Sequence, residues 1–252
     1  MQCGVQRARA LSTKASTATV MAIRAGGGAW CSVGAGGRRT VLGMDAARQD
    51  EEARILRLHA RFLSLGGKFS DFSKLVEAYG EEARRYHVLS HVEFVIDTIE
   101  QFYPEAPAWV YWAAFYHDFV YDPRRHDNEE RSGDEAMVAG AEHFGPSIVD
   151  VVRSIRMTAK HDLEACEGFD EALLVGDLMG LAIPRAEYEA NTARIRQEYS
   201  MFSDVEWYRG RAAFIESYGS RRIFPREERF DEYENAAHAN MQAELEKLRN
   251  NF

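Results

Sequence analysis

Four histidines and two aspartates carry the chemistry this chain can be expected to do. His87 and His91 stand four apart in residues 85–92, so a helix would set both imidazoles on one face. His117 and Asp118 follow directly on the apolar run 109–116. A charged pair at the end of a buried helix is costly unless its members are paired or hold a metal. Asp177 is the lone carboxylate inside the apolar run 173–179 and needs a counter-charge, although a helix cap or a structural ion pair would also satisfy it. His161 ends the predicted helix that carries Thr158. Together His91, His117, Asp118 and Asp177 make a mixed imidazole and carboxylate set. Such a set suits a first-row divalent metal (manganese, iron or zinc, or nickel or cobalt) better than calcium. Coordination positions left to water would give a hydroxide near neutral pH beside a polarised phosphoryl oxygen.

The elements that must position these groups read as helices almost throughout. Apolar residues recur at spacings of three and four over 49–65, 71–80 and 90–102. Ser90 is read as the N-cap of the third, with Glu93 completing a capping box. Residues 106–120 are nearly all apolar and predict a buried central helix, whose aromatic residues are core. Further helices are expected over 127–144, from Pro146 to about 160, over 168–181, from Pro184 to about 199, over 203–218 and over 226–248. No alternating β-branched runs occur, so the expectation is all-α: a single helical bundle of about nine or ten helices.

The charge divides the chain. Of 31 basic residues six lie in residues 1–44, which contain no acid, so residues 45–252 hold 25 basic against 40 acidic, a formal −15. An acidic body is not a nucleic-acid binder by bulk electrostatics. No stretch approaches the ~20 apolar residues of a membrane-spanning helix. Residues 1–44, rich in Arg, Ser, Thr, Ala and Gly, read as a disordered leader. The composition reads as a mitochondrial or plastid transit peptide, with a start codon placed too early (Met21 or Met44 then being the true start) or a functional tail as the alternatives. The three cysteines, Cys3, Cys31 and Cys166, form no metal-binding or disulfide pattern and fit a reducing, intracellular compartment.

The order H…HD…D on a helical background resembles the HD superfamily of metal-dependent phosphohydrolases. Residues 86–95 are also similar to a segment of the cyclic-nucleotide phosphodiesterases, which share that arrangement. The nearer resemblance is to a group of predicted metal-dependent HD phosphohydrolases. It runs through Arg85–His91, Tyr116–Pro123, Asp127–Ser132, Thr158–His161, Asp177-Leu178, Ile195–Tyr199, Gly210-Arg211, Ile223-Phe224 and Glu234/Ala237/Asn240, covering about residues 48–250.

The resemblance implies that His91, His117, Asp118 and Asp177 bind one metal firmly, with a second site uncertain and Asp118 the candidate bridge. It implies that His87 donates a proton to the leaving oxygen or contacts phosphate. His161 would extend the site or hold phosphate. Glu130 and Asp134 are a candidate water-positioning pair, with a solvated face as the alternative. Arg196 and Arg211 are candidate phosphate clamps, with structural ion pairs as the alternative. Tyr121 is a candidate for stacking on substrate. Gly133 stands where the group has a small alanine, and Val175-Gly176 replaces a more acidic pair, which weakens the case for a second metal.

The function so implied is hydrolysis of a small-molecule phosphate ester, a nucleotide or a relative of one, by a metal-bound hydroxide. The rival is a non-catalytic metal- or nucleotide-binding module. Oligomeric state stays open.

Overall fold

The computed structural model describes residues 38–219 and 221–250. Among these are ten α-helices and no strand. They are α1 (Arg38–Ser64), α2 (Phe69–Tyr79), α3 (Leu89–Phe102), α4 (Ala108–Tyr116), α5 (Asn128–Phe144), α6 (Ile148–Met157), α7 (Asp170–Leu178), α8 (Arg185–Glu198), α9 (Asp204–Tyr218) and α10 (Asp231–Arg249). The expected leader falls largely outside the described residues. Two compact units divide at Ala78 and Tyr79. In the first, His59 and Phe62 of α1 pack their rings on Phe72 of α2. Everything that bears on function lies in the second. No helix among the described residues is long and apolar enough to cross a membrane.

The second unit is organised around α4, which packs against α3, α5, α6 and α7. Six of its nine residues are buried, among them Trp112, Phe115 and Tyr116. The aromatic run is therefore core, as its density predicts. Two glycines set how closely the layers approach. A Cβ at Gly140 would come within 2.8 Å of the Trp112 ring, so α5 meets α4 only because that side chain is absent. A Cβ at Gly176 would lie 2.9 Å from Val95 Cγ1, so α7 lies tight against α3. That contact carries the neighbouring Asp177 to the start of α3.

A second apolar cluster joins α7, α8, α9 and α10 and contains Tyr188, Ile215, Phe224, Phe230 and Met241. Several recurring segments turn out to be its fasteners. Glu234 accepts from the backbone N–H of Ile223 (3.2 Å) and Phe224 (2.9 Å). The Asn240 amide donates to the carbonyls of Leu181 and Ile183, at 2.9 and 2.8 Å.

Helix ends differ from the sequence expectation in one informative case. The N-cap of α3 is Val88, with no side-chain cap bond, and Ser90 lies inside the first turn. The helix begins two residues earlier than the capping pattern implies, so that box does not form. It forms instead at α9, where Ser203 and Glu206 bond reciprocally.

Candidate metal centre

Three helices bring the four predicted ligands together. His91 is in the first turn of α3, His117 and Asp118 follow the end of α4, and Asp177 is near the end of α7. One ligand atom from each lies within 4.8 Å of all the others. His91 Nε2 is 3.1 Å from Asp177 Oδ1, 3.2 Å from His117 Nε2 and 3.6 Å from Asp118 Oδ2. His117 Nε2 is 3.1 Å from Asp118 Oδ2 and 3.8 Å from Asp177 Oδ1. Ligands about 2.1 Å from one ion are separated by roughly 3.0–4.2 Å, so the set could hold a divalent metal.

The donor chemistry fits as well. His117 Nδ1 lies 2.9 Å from the Ala114 carbonyl, which can only accept, so Nδ1 carries the proton and Nε2 faces the carboxylates. Two imidazoles and two carboxylates converge here, and among the described residues no lysine or arginine pairs with either carboxylate. Without an ion the cluster shares protons. Burial disfavours the His117 cation, but the Asp118 and Asp177 carboxylates outweigh it and raise its pKa to about 9. Burial likewise opposes ionisation of Asp177, and the bonds from His161 and His91 overcome it, holding the carboxyl well below its usual range. Asp118 is held below that range chiefly by His117 against the same burial.

Around this group the loops are held by side chains that the sequence did not single out. Arg84, 3 % exposed, donates to the carbonyls of Asp118 (2.6 Å) and Phe119 (2.8 Å). Ser132 of α5 accepts from Val120 N–H at 3.0 Å. Asn128 and Asp122 exchange two bonds, at 3.1 and 3.0 Å. The segment 127–132 thus locks the chain that leaves Asp118.

Glu198, at the end of α8, is the largest omission. It is 2 % exposed, and Oε1 accepts the backbone N–H groups of Arg85, Tyr86 and His87 at 2.7, 2.8 and 3.0 Å. Oε2 lies 2.7 Å from His87 Nδ1 and accepts from the Tyr121 hydroxyl at 3.2 Å. A carboxylate cannot donate, so His87 Nδ1 carries a proton. Burial works against the His87 cation, but Asp118 and Glu198 together raise its pKa. Burial also works against the Glu198 anion, and His87 brings its pKa down to about 2. The signal was available in the sequence: Glu198 is a carboxylate on the inward stripe of α8, as Asp177 is on α7.

The carboxylates face a cavity of about 580 Å³ whose wall includes His87, Asp118, Tyr121, His161, Asp177 and Arg211. His161 Nε2 is 2.8 Å from Asp177 Oδ2. Its backbone has φ +47°, a left-handed conformation uncommon for a residue with a side chain, as the chain turns out of α6. Tyr121 stacks on His87 with ring centroids 4.1 Å apart.

The other predicted site residues lie elsewhere or are engaged. Glu130 and Asp134 share the exposed face of α5 with Arg156 and are not in the cavity wall. Arg196 is also outside that wall and donates to the carbonyls of Tyr199 and Phe202 and to Asp204. Arg211 lines the cavity but is held by Glu244, at 2.8 and 3.1 Å, and by Tyr188. The basic residues after the His-Asp pair are spent locally, Arg124 on Asp122 and Arg125 on Asp127. Burial and nearby acids push the Cys166 thiol up to about 12, which excludes an activated nucleophile there.

Among the described residues the fold and site therefore define an all-helical protein with a buried His/Asp group able to hold a metal ion. Comparison with models of known protein families, with curated proteins and with solved structures finds no match.

Proposed function

We propose that this protein is a metal-dependent hydrolase of phosphate esters, acting on a nucleotide or a related small molecule. One observation carries the reading: four metal-ligand side chains converge while the two carboxylates also line an open cavity large enough for a small molecule. A purely structural site would be closed by protein ligands on all sides. The resemblance to HD phosphohydrolases points the same way.

His91, His117, Asp118 and Asp177 would hold the ion, which when bound supplies an acidified water and a Lewis acid for a phosphoryl oxygen. Manganese, iron, zinc, nickel and cobalt all suit this donor set. The residues of the chain do the rest. His87, favoured as the imidazolium by Asp118 and Glu198, keeps its Nδ1 proton on Glu198 and would give its Nε2 proton to the leaving oxygen as the P–O ester bond breaks, a proton of the attacking water restoring the cation afterwards. Water contributes its oxygen to phosphorus, so the products are phosphate and an alcohol. His161 and Asp177, paired at 2.8 Å, flank the reacting group. Tyr121 stacks on the His87 ring and donates to Glu198, which fixes the plane of that ring.

The test is phosphate release from a panel of phosphate esters by the metal-loaded full chain, beside the His117→Ala/Asp118→Ala double variant. Release by the wild type that vanishes in the variant supports the reading. Full activity in the variant refutes it. Stabilisation by nucleotides with no release from any of them would replace it with a non-catalytic binding module.

A further inference from the structure

The cavity has two dissimilar ends, and the second has no assigned role. It is a cleft between α8 and α9, lined by Tyr188, Tyr199, Phe202, Trp207, Gly210 and Phe214. From α9, residues 207, 210, 211 and 214 form one helical stripe facing the cavity. Rings dominate this wall: Tyr199 and Trp207 lie 5.3 Å apart, and the Arg211 guanidinium sits 4.9 Å over Phe214.

The charges at this end are already cancelled. Only two arginines and no lysine line the cavity, and Asp127 holds Arg125 while Glu244 holds Arg211. Glu206 is spent on Ser203 in the α9 capping box, at 2.8 and 2.6 Å. No free cation waits there for a second phosphate.

Gly210 is the telling residue. A Cβ built on it meets nothing within 4 Å and the residue is exposed, so the backbone of α9 borders the open mouth of the cavity on the stripe that carries Trp207 and Phe214. Helical packing does not require a glycine there, and the helix would gain from almost any other residue.

We infer that the α8–α9 cleft is a leaving-group subsite that takes a flat, uncharged ring, with Gly210 leaving room for it beside Trp207 and Phe214. The inference rests on the hydrolase reading for the identity of the phosphate end. It narrows the substrate class to monoesters of a ring-bearing alcohol, carrying one phosphate and not a chain of them. Stacking on ring faces supplies affinity without a charged partner.

Two arms separate this inference from the hydrolase reading. In the first, metal-free full chain is mixed with 1-naphthol or with ribose, neither of which carries phosphate, and saturation-transfer NMR detects binding. Transfer to the naphthol ring but not to ribose is expected, and Gly210→Leu, which fills the open space, should abolish it. Phe214→Ala, which removes one ring of the wall, should weaken it and guards against an indirect effect of the leucine. Absent transfer to naphthol, or equal transfer in all three proteins, overturns the subsite.

In the second arm, manganese-loaded protein is offered 1-naphthyl phosphate and ethyl phosphate. The wild-type preference in kcat/KM for the ring should fall about tenfold in Gly210→Leu, while manganese content is retained. An unchanged preference overturns the inference. If the wild type hydrolyses neither ester, the hydrolase reading fails for these substrates and the first arm alone decides the subsite.

Discussion

Two buried polar clusters border the same cavity, and they are built on opposite principles. At the α8–α10 end Arg211 and Glu244 form a two-bond ion pair that also takes in Tyr188. Opposite charges meet there and nothing further is required. At the α3–α4–α7 end two imidazoles and two carboxylates meet without any lysine or arginine among the described residues. One cluster closes on itself, and the other is complete only with protons or a metal. Burial alone therefore does not mark a functional charge; what marks it is a shortage of partners inside the protein.

Glu198 stands between these cases and gives the largest expected effect on activity. It is fully engaged, as Glu244 is, but what it engages faces the cavity. Glu198→Gln keeps an acceptor for the three backbone N–H groups and loses the charge opposite His87. Hydrolysis should fall about 100-fold with metal content retained, and His87→Ala should fall by a similar factor. Metal analysis beside steady-state rates checks this, and an unchanged rate would make Glu198 purely structural.

Glu244→Ala sharpens the contrast from the other side. It strands the buried Arg211 charge and should cost about 3–5 kcal/mol in denaturant unfolding of the metal-free protein. Asp118→Asn should lose the metal, and above about pH 9, where His117 has given up its proton, it should cost much less. Equal losses would erase the distinction between the two ends.

The pH dependence separates them next. In the metal-free protein His117, raised to about 9, contributes stability in full below its unfolded pKa near ~6.5, and this is lost as pH rises through about 9. Asp118 and Asp177, held low, contribute above about pH 4 and lose that contribution as pH falls. Metal-free stability should therefore peak between about pH 4 and 6.5. With manganese the upper limb should reverse, because binding displaces the ligand protons and strengthens as pH rises. Urea midpoints with chelator and with manganese test both signs.

The smallest effect compares two serines at helix starts. Ser203→Ala removes a formed capping box and should cost about 1 kcal/mol. Ser90→Ala removes no cap bond and should fall within about 0.5 kcal/mol of the wild type.

Much of this was legible before any coordinates. The helical periodicity located every helix of the second unit to within a few residues, and α4 declared itself by being apolar all round. The four members of the His/Asp group were readable from the four-residue spacing of His87 and His91, the His-Asp pair that closes an apolar run, and the lone carboxylate of 173–179. What stayed hidden depends on partners distant in sequence. Arg211 was singled out as a clamp or a structural ion pair, but its partner Glu244, 33 residues on, does not stand out until α9 and α10 pack. Glu198 meets His87 across 111 residues. Ser90 misled because a capping pattern is local, whereas the 84–88 loop is drawn into place by Arg84 and Glu198. Gly176, read as the loss of an acid, is what lets α7 approach α3 closely enough for Asp177 to reach His91.

The central claim is that the partner-poor cluster holds a metal. Elemental analysis of the purified full chain, beside the His117→Ala/Asp118→Ala double variant, tests it most directly. The account predicts about one transition metal per chain in the wild type and none in the variant. A wild type that stays metal-free after incubation with manganese, iron and zinc, or a variant that keeps its metal, would contradict it.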